Sequence, residues 1–291
     1  MNKRLPRHIR AEPSERPPFR LTDRDCRILK AINDCVVLRT DQVQILEFNS
    51  PSPAYERLEK LYHYEYLDRH FITQVAAAPA ASKIVYSITP LSASVLAATI
   101  GYTVTEINYP GRAVSNWKSL QPILAVNDFR VHLMRAAQEL DGFKLVQWIP
   151  EKEFRAHPDF VQIKDSKGKL KKSPVYPDGY IILKTPKGEA RFFIEIDSGT
   201  EGLEQFRSQI KIHNEYMLSG QYQERFKSDV LRIVIVTNSE KRLRDLRKAI
   251  AQVGGGSRYW LTTVSKAIWT QMLSAPIWSK VTDEVLYPFI G

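Results

Sequence analysis

The chain has 291 residues, 43% hydrophobic and 25% charged, enough for two domains that each bury a core. No apolar run approaches the roughly 20 residues of a membrane span. The first twenty residues lack a secretory apolar stretch. With only Cys26 and Cys35, neither a disulfide framework nor a thiolate zinc site is expected, and a cytoplasmic setting fits. The net charge of +10 favours an anionic partner, nucleic acid above all.

Residues 1–20 carry six Lys or Arg against two Glu and four prolines, a composition that predicts a flexible basic arm. A first helix is expected from Thr22, with Asp25 as its capping-box partner and Ile28, Leu29 and Ile32 as its buried stripe. A second opens at Thr40 and turns Val43 and Leu46 inward. Ser52 and Pro53 read as cap and first residue of a third helix, with Leu58, Leu61 and Tyr62 inside. RHFITQV and KIVYSIT then alternate like two strands, and Thr89 launches a fourth helix through Ile100. Three closely linked helices followed by a hairpin resemble the winged helix-turn-helix superfamily over residues 21–101, with a tri-helical protein-interaction module as the other reading.

That resemblance implies DNA binding, double-stranded DNA being expected, with the third helix in the major groove. Tyr55, Arg57, Lys60 and His63 are then exposed on it, Arg57 pairing with guanine and Ser50 or Ser52 meeting phosphate at the helix start. Glu56, Glu59 and Glu65 make this helix acidic for a groove reader. Arg4, Arg7 and Arg10 from the arm, Arg39 and Arg69 beside the wing, and Lys83 in it would supply backbone contacts.

Residues 102–120 hold Pro110, Gly111 and little periodicity, so a linker is expected there, with a second domain over 121–291. It starts with a helix bearing Leu124, Phe129, Leu133 and Ala137 on one face. FKLVQWI, VYPDGYIIL and ARFFIEID follow as strands, then the helix LEQFRSQIKIHNEYML entered through Ser198 and Glu201 at capping-box spacing. LRIVIVT reads as a strand covered on both faces, and a further helix and strand complete a mixed α/β layer structure. Basic runs lie at Lys164–Lys172 and Lys241–Lys248.

The chemistry concentrates in three acids. Glu195 and Asp197 are two apart in one strand and share a face. Asp178 heads the preceding strand and comes alongside Glu195 if the turn TPKGEA sits midway. Three converging carboxylates are costly unless a cation accompanies them, and oxygen ligands suit Mg²⁺ or Mn²⁺. No histidine pair at metal spacing and no nucleophile with a nearby base stands out.

This order of helix, strands bearing Asp and then Glu, helix and strand resembles the PD-(D/E)XK nuclease core, and Pro177-Asp178 reproduces its opening dipeptide. The lysine usual two residues after the acid is Asp197 here, and Lys211 on the next helix is the expected substitute. Combining winged helix, PDG, EIDSGTE and a lysine-bearing helix, the chain resembles the replication-relaxation family of bacterial plasmids and mobile elements over about residues 20–265. The resemblance implies an N-terminal winged helix-turn-helix, a C-terminal nuclease-like mixed sheet flanked by helices, and DNA binding in replication or plasmid relaxation beside other replication or mobile-element proteins. Asp178, Glu195, Asp197 and Lys211 become the expected catalytic set, the three acids its metal ligands, with Asn127 and Arg130 lining the same cleft. The same residues are compatible with a non-catalytic adaptor or a transcriptional regulator that uses a degenerate nuclease fold as a platform.

Overall fold

The computed structural model describes residues 6–72, 83–110, 117–164 and 168–290. The chain divides into two compact units, Met1–Val131 and His132–Gly291.

In the first unit, α1 (Asp23–Asp34) starts with the expected reciprocal cap. Thr22 N donates to Asp25 Oδ2 at 2.7 Å and Asp25 N to Thr22 Oγ1 at 3.4 Å, meeting two amides that the first turn leaves open. Ile28, Leu29 and Ile32 are fully buried. The next two helices start earlier than their polar residues suggest. Arg39 holds the cap position of α2 (Thr40–Glu47), its N–H donating to Gln42 Oε1 at 2.9 Å. Ser50, not Ser52, caps α3 (Pro51–His63), whose first residue is Pro51, where a missing N–H costs nothing.

Strands β2 (Leu67–Ile72) and β3 (Lys83–Ile88) pair antiparallel, with β1 (Leu38–Arg39) on the far side of β3. A hairpin thus follows the third helix, in the order expected of a winged helix. Thr89 caps α4 (Pro90–Ile100), which ends at Gly101 with φ 78°, a left-handed closure that glycine adopts without strain.

Two expectations fail here. Residues 6–20 are not a free arm. Arg10 donates to Tyr62 O and Leu67 O at 3.0 Å and to Asp68 at 2.8 Å, Ala11 N donates to His63 Nδ1 at 3.0 Å, and Phe19 stacks on Tyr64. An apolar-burial criterion misses such a segment because guanidinium groups and aromatic faces hold it. Nor do the described parts of the expected linker, residues 102–110 and 117–120, run free. Asn33 donates to Glu106 O at 2.8 Å, accepts from Asn108 N at 2.8 Å, and Tyr102 reaches Asp34 at 2.9 Å. Helix α5 (Trp117–Glu139) starts before residue 121, and its Leu120 and Leu124 bury against Val37 and Val85 of the first unit.

The second unit is built on a seven-stranded sheet of order β12-β11-β10-β9-β8-β7-β4. Strands β4 (Lys144–Pro150), β7 (Gly179–Thr185) and β8 (Gly188–Asp197) are antiparallel. β8, β9 (Arg232–Thr237) and β10 (Tyr259–Thr263) are parallel, joined by crossovers containing α7 (Leu203–Leu218) and α9 (Glu240–Gln252). β11 (Trp278–Lys280) and β12 (Leu286–Tyr287) extend the edge.

Short α6 (Glu151–Ala156) follows β4, α8 (Gln221–Phe226) follows α7, and β5 (Phe160–Lys164) and β6 (Leu170–Pro174) form a separate two-stranded ribbon. Phe193, Ile233, Ile235 and Leu261 face Phe206 and Ile210 of α7 and Leu246 and Ile250 of α9 in one core. This sequence of helix, antiparallel strands, helix and parallel strand is the expected nuclease-like α/β arrangement. The α7 boundaries match the sequence reading, but Gly202 holds its cap position and Ser198 bonds Thr200 instead. Among the described residues no helix is long and apolar enough to cross a membrane.

Candidate functional site

The hairpin joining β7 and β8 turns tightly, with Thr185 opposite Gly188 and Gly179 opposite Ile194. That register carries Asp178 to the level of Glu195. Asp178 Oδ2 accepts from Ile196 N at 2.7 Å, which pins its carboxylate at the end of the ladder. Glu195 is 4% exposed because it shares the helix-covered face with Phe193. Gln209 of α7 donates to its Oε2 at 2.6 Å. His213, one turn on, brings Nε2 to 3.1 Å from Oε1, but off hydrogen-bond geometry, so Glu195 Oε1 is buried without a hydrogen-bond partner; His213 Nδ1, the other ring nitrogen, is buried without one as well.

Burial pushes the Asp178 carboxyl well above the carboxylate range, and the neighbouring Glu195 charge adds to the shift. Burial raises Glu195 in the same sense, against the opposing bond from Gln209, with Glu151 and Glu201 adding to the rise. Burial pulls the His213 imidazole down to about 4, so it is neutral at pH 7 and offers no balancing charge. Two acids that lack a cation in so dry a setting hold protons more readily. Strongly displaced carboxyls with an unsatisfied buried oxygen are a functional-site signature.

The third acid does not join them. Asp197 accepts from Arg242 Nε at 3.0 Å and Nη2 at 2.8 Å and from Thr237 Oγ1 at 2.6 Å, so its oxygens are occupied by a bidentate fork and a hydroxyl. Lys211 is not the substitute cation either. Gln209 and His213 occupy the α7 face that meets Glu195, and two residues of helix from Gln209 set Lys211 about 200° round the axis. Among the described residues no three metal-ligating side chains gather closely enough to hold an ion. Asp178 and Glu195 fit a hard divalent cation as a two-carboxylate pair, with Glu195 Oε1 unclaimed; Asp197 does not fit as a ligand.

Asn127 and Arg130 are elsewhere. Asn127 Nδ2 donates to Cys35 O at 3.0 Å and Val37 O at 2.7 Å, and Arg130 Nη1 to Asp34 O at 2.5 Å. Both close the C-terminal end of α1 within the first unit. Gln209, His213 and Arg242 are the residues that sequence reasoning missed. Gln209 and His213 carried a signal, as polar residues four apart beside the apolar stripe Phe206, Ile210 and Tyr216. Arg242, one of five cations in its run, carried none.

Several cations expected to meet DNA are engaged internally. Arg57 pairs with Asp25, which is fully buried, and donates to Arg20 O at 2.8 Å. Burial alone would raise Asp25, yet the Arg57 and Thr22 bonds hold it below the usual range. Arg39 bridges Asp41 at 2.9 Å and Asp128 at 2.5 Å. Arg69 is 8% exposed, donates to Arg7 O, and lies over the Tyr62 ring at 4.0 Å. His63 is fully buried, not exposed on α3. Arg7 and Ser52 are exposed, while Tyr55 and Lys60 are half-buried. Lys60, Glu56, Arg57 and Arg24 line an open hollow of about 520 Å³ between α1 and α3. Arg4 and the Lys83 side chain lie outside the described residues.

No curated protein matches the chain. Among solved structures it is similar to the restriction endonuclease FokI, at 10% identity and a TM-score of 0.27 over 84% of this chain. The similarity spans 43% of that chain. The family model described as Replication-relaxation matches residues 29–229. That match takes in α2 to α4, the strands that bear Asp178 and Glu195, and α7 above them, and by it this chain belongs to the replication-relaxation family.

Proposed function

We propose that this protein binds double-stranded DNA of a plasmid or other mobile element in the bacterial cytoplasm, and that its second unit cuts or nicks DNA with Mg²⁺ or Mn²⁺. One observation carries the reading: Asp178, half-buried, and Glu195, buried, lie side by side at the end of the sheet, both carboxyls displaced upward, with Glu195 Oε1 unsatisfied. Such a pair is stable as two carboxylates only beside a cation.

Asp178 and Glu195 would hold the ion, which when bound supplies the positive charge that a phosphodiester transition state requires. Ile196 N fixes the Asp178 carboxylate and Gln209 fixes Glu195. Neutral His213 keeps water from the inner side of Glu195. The first unit, read as a winged helix, would present Ser52, Tyr55 and Lys60 to DNA, with Arg7 at its edge.

Incubation with supercoiled plasmid tests this. Nicking that needs Mg²⁺ or Mn²⁺ and disappears in Glu195→Gln and Asp178→Asn is expected, with DNA binding retained. DNA binding by the wild type with no nicking under either metal would overturn the cutting step. A second reading, a non-catalytic binding platform, is favoured by the Arg242–Asp197 pair, since it fills with a bound cation the place where such nucleases carry a free lysine.

A further inference from the structure

We infer that the β5–β6 ribbon is a sequence-independent contact for the phosphate backbone of DNA. The inference rests on the DNA-binding reading above and names a surface for it in the second unit. Strand alternation sets the two sides of the ribbon. Val161 and Ile163 are buried and join the core, whereas Phe160, Gln162 and Lys164 are exposed. On the partner strand Leu170, Lys171 and Lys172 are exposed; Gln162 is opposite Lys172 and Lys164 opposite Leu170, so Lys164 and Lys172 share the outer side, while Lys171, opposite the buried Ile163, is exposed on the other side. Lys172 Nζ stands 4.4 Å over the Phe160 ring.

Among the described residues neither Lys164, Lys171 nor Lys172 has a carboxylate within ion-pair distance, and residues 160–164 and 168–174 include no acid. The ribbon is firmly seated. At its base Asp159 accepts from Tyr216 Oη and from Arg225 Nη1 at 2.8 Å, and Val175 N donates to Asp159 O at 3.0 Å. Its exit strand reaches Asp178 within four residues, so the basic surface and the carboxylate pair are close along the chain within the second unit.

A two-stranded ribbon is narrow enough for a major groove. Lysine ammoniums act as point charges that neutralise phosphates without reading bases. Lysines on short strands also guard exposed edges against pairing with other chains, and the experiment separates that role from this one.

The affinity of the full chain for a fluorescent duplex is measured against salt for wild type, the triple variant Lys164→Gln/Lys171→Gln/Lys172→Gln, the matching triple Lys→Arg variant, and Lys241→Gln/Arg244→Gln/Lys248→Gln on α9. The ribbon Gln variant is expected to bind about tenfold or more weakly at 150 mM salt, with a salt slope reduced by about 2 to 3. The Arg variant is expected to retain wild-type binding, the α9 variant to stay within about twofold, and duplexes of unrelated sequence to behave alike. Equal losses from the ribbon and α9 triples, or aggregation of the ribbon variant with unchanged affinity, would overturn the assignment. A wild type that binds no duplex would remove the DNA reading itself, whereas binding that ignores the ribbon removes the ribbon alone.

Discussion

The arginines of the first unit and the ribbon lysines of the second are used in opposite ways. In the first, Arg10, Arg16, Arg39, Arg57 and Arg69 all reach carboxylates or carbonyls of their own fold. In the second, Lys164, Lys171 and Lys172 stand clear of any acid among the described residues, while Asp178 and Glu195 face each other without a cation. A guanidinium fork satisfies two or three acceptors at once and is therefore drawn into tertiary contacts; an ammonium on a flexible stem stays hydrated. A basic composition is thus not a basic surface. The first unit's arginines build a framework, and the exposed lysines of the second unit's ribbon remain available for a ligand.

The contrast breaks most sharply at Arg57. Arg57→Leu strands the buried Asp25 carboxylate and is expected to cost about 3 kcal/mol or more, read as a lower melting temperature, with duplex affinity of the folded protein within twofold. Lost affinity at unchanged melting would mean that Arg57 faces DNA after all.

A smaller effect sharpens the other side. A carboxyl raised by burial binds its proton more tightly when folded, so its stabilisation is complete below the ordinary value near 4 and disappears as pH rises through the raised one. In EDTA, Glu195→Gln is expected to exceed wild type in stability by about 1–3 kcal/mol at pH 8 and to converge with it near pH 4. Added Mg²⁺ should narrow the pH 8 gap by stabilising wild type. Parallel curves across that range would show that Glu195 is not desolvated. The smallest change is Thr22→Ala, which removes one half of the α1 cap at about 1 kcal/mol, seen in thermal unfolding with no change in the salt slope of binding.

Much of the fold was legible because it is local. The apolar spacing of α1 and α7, the Thr22 and Thr89 caps, and the Pro186–Gly188 turn all depend on residues a few positions apart. The cap positions of α2 and α3 shifted because a backbone amide and Pro51 met the helix requirement before the expected hydroxyl did. Residues 102–110 departed from the expected linker because Asn33, far along the chain, supplies both a donor and an acceptor to them.

The sequence by itself determined the order of elements and the pairing of Asp178 with Glu195, since a tight hairpin sets its register from the turn outward. Only the tertiary structure decided which charges were used up. Asp197 was taken by Arg242, Arg57 by Asp25, and the C-terminal end of α1 by Asn127 and Arg130, each across 30 or more residues of chain. A side chain's partner is set by whichever distant segment packs beside it, and no spacing along the chain encodes that.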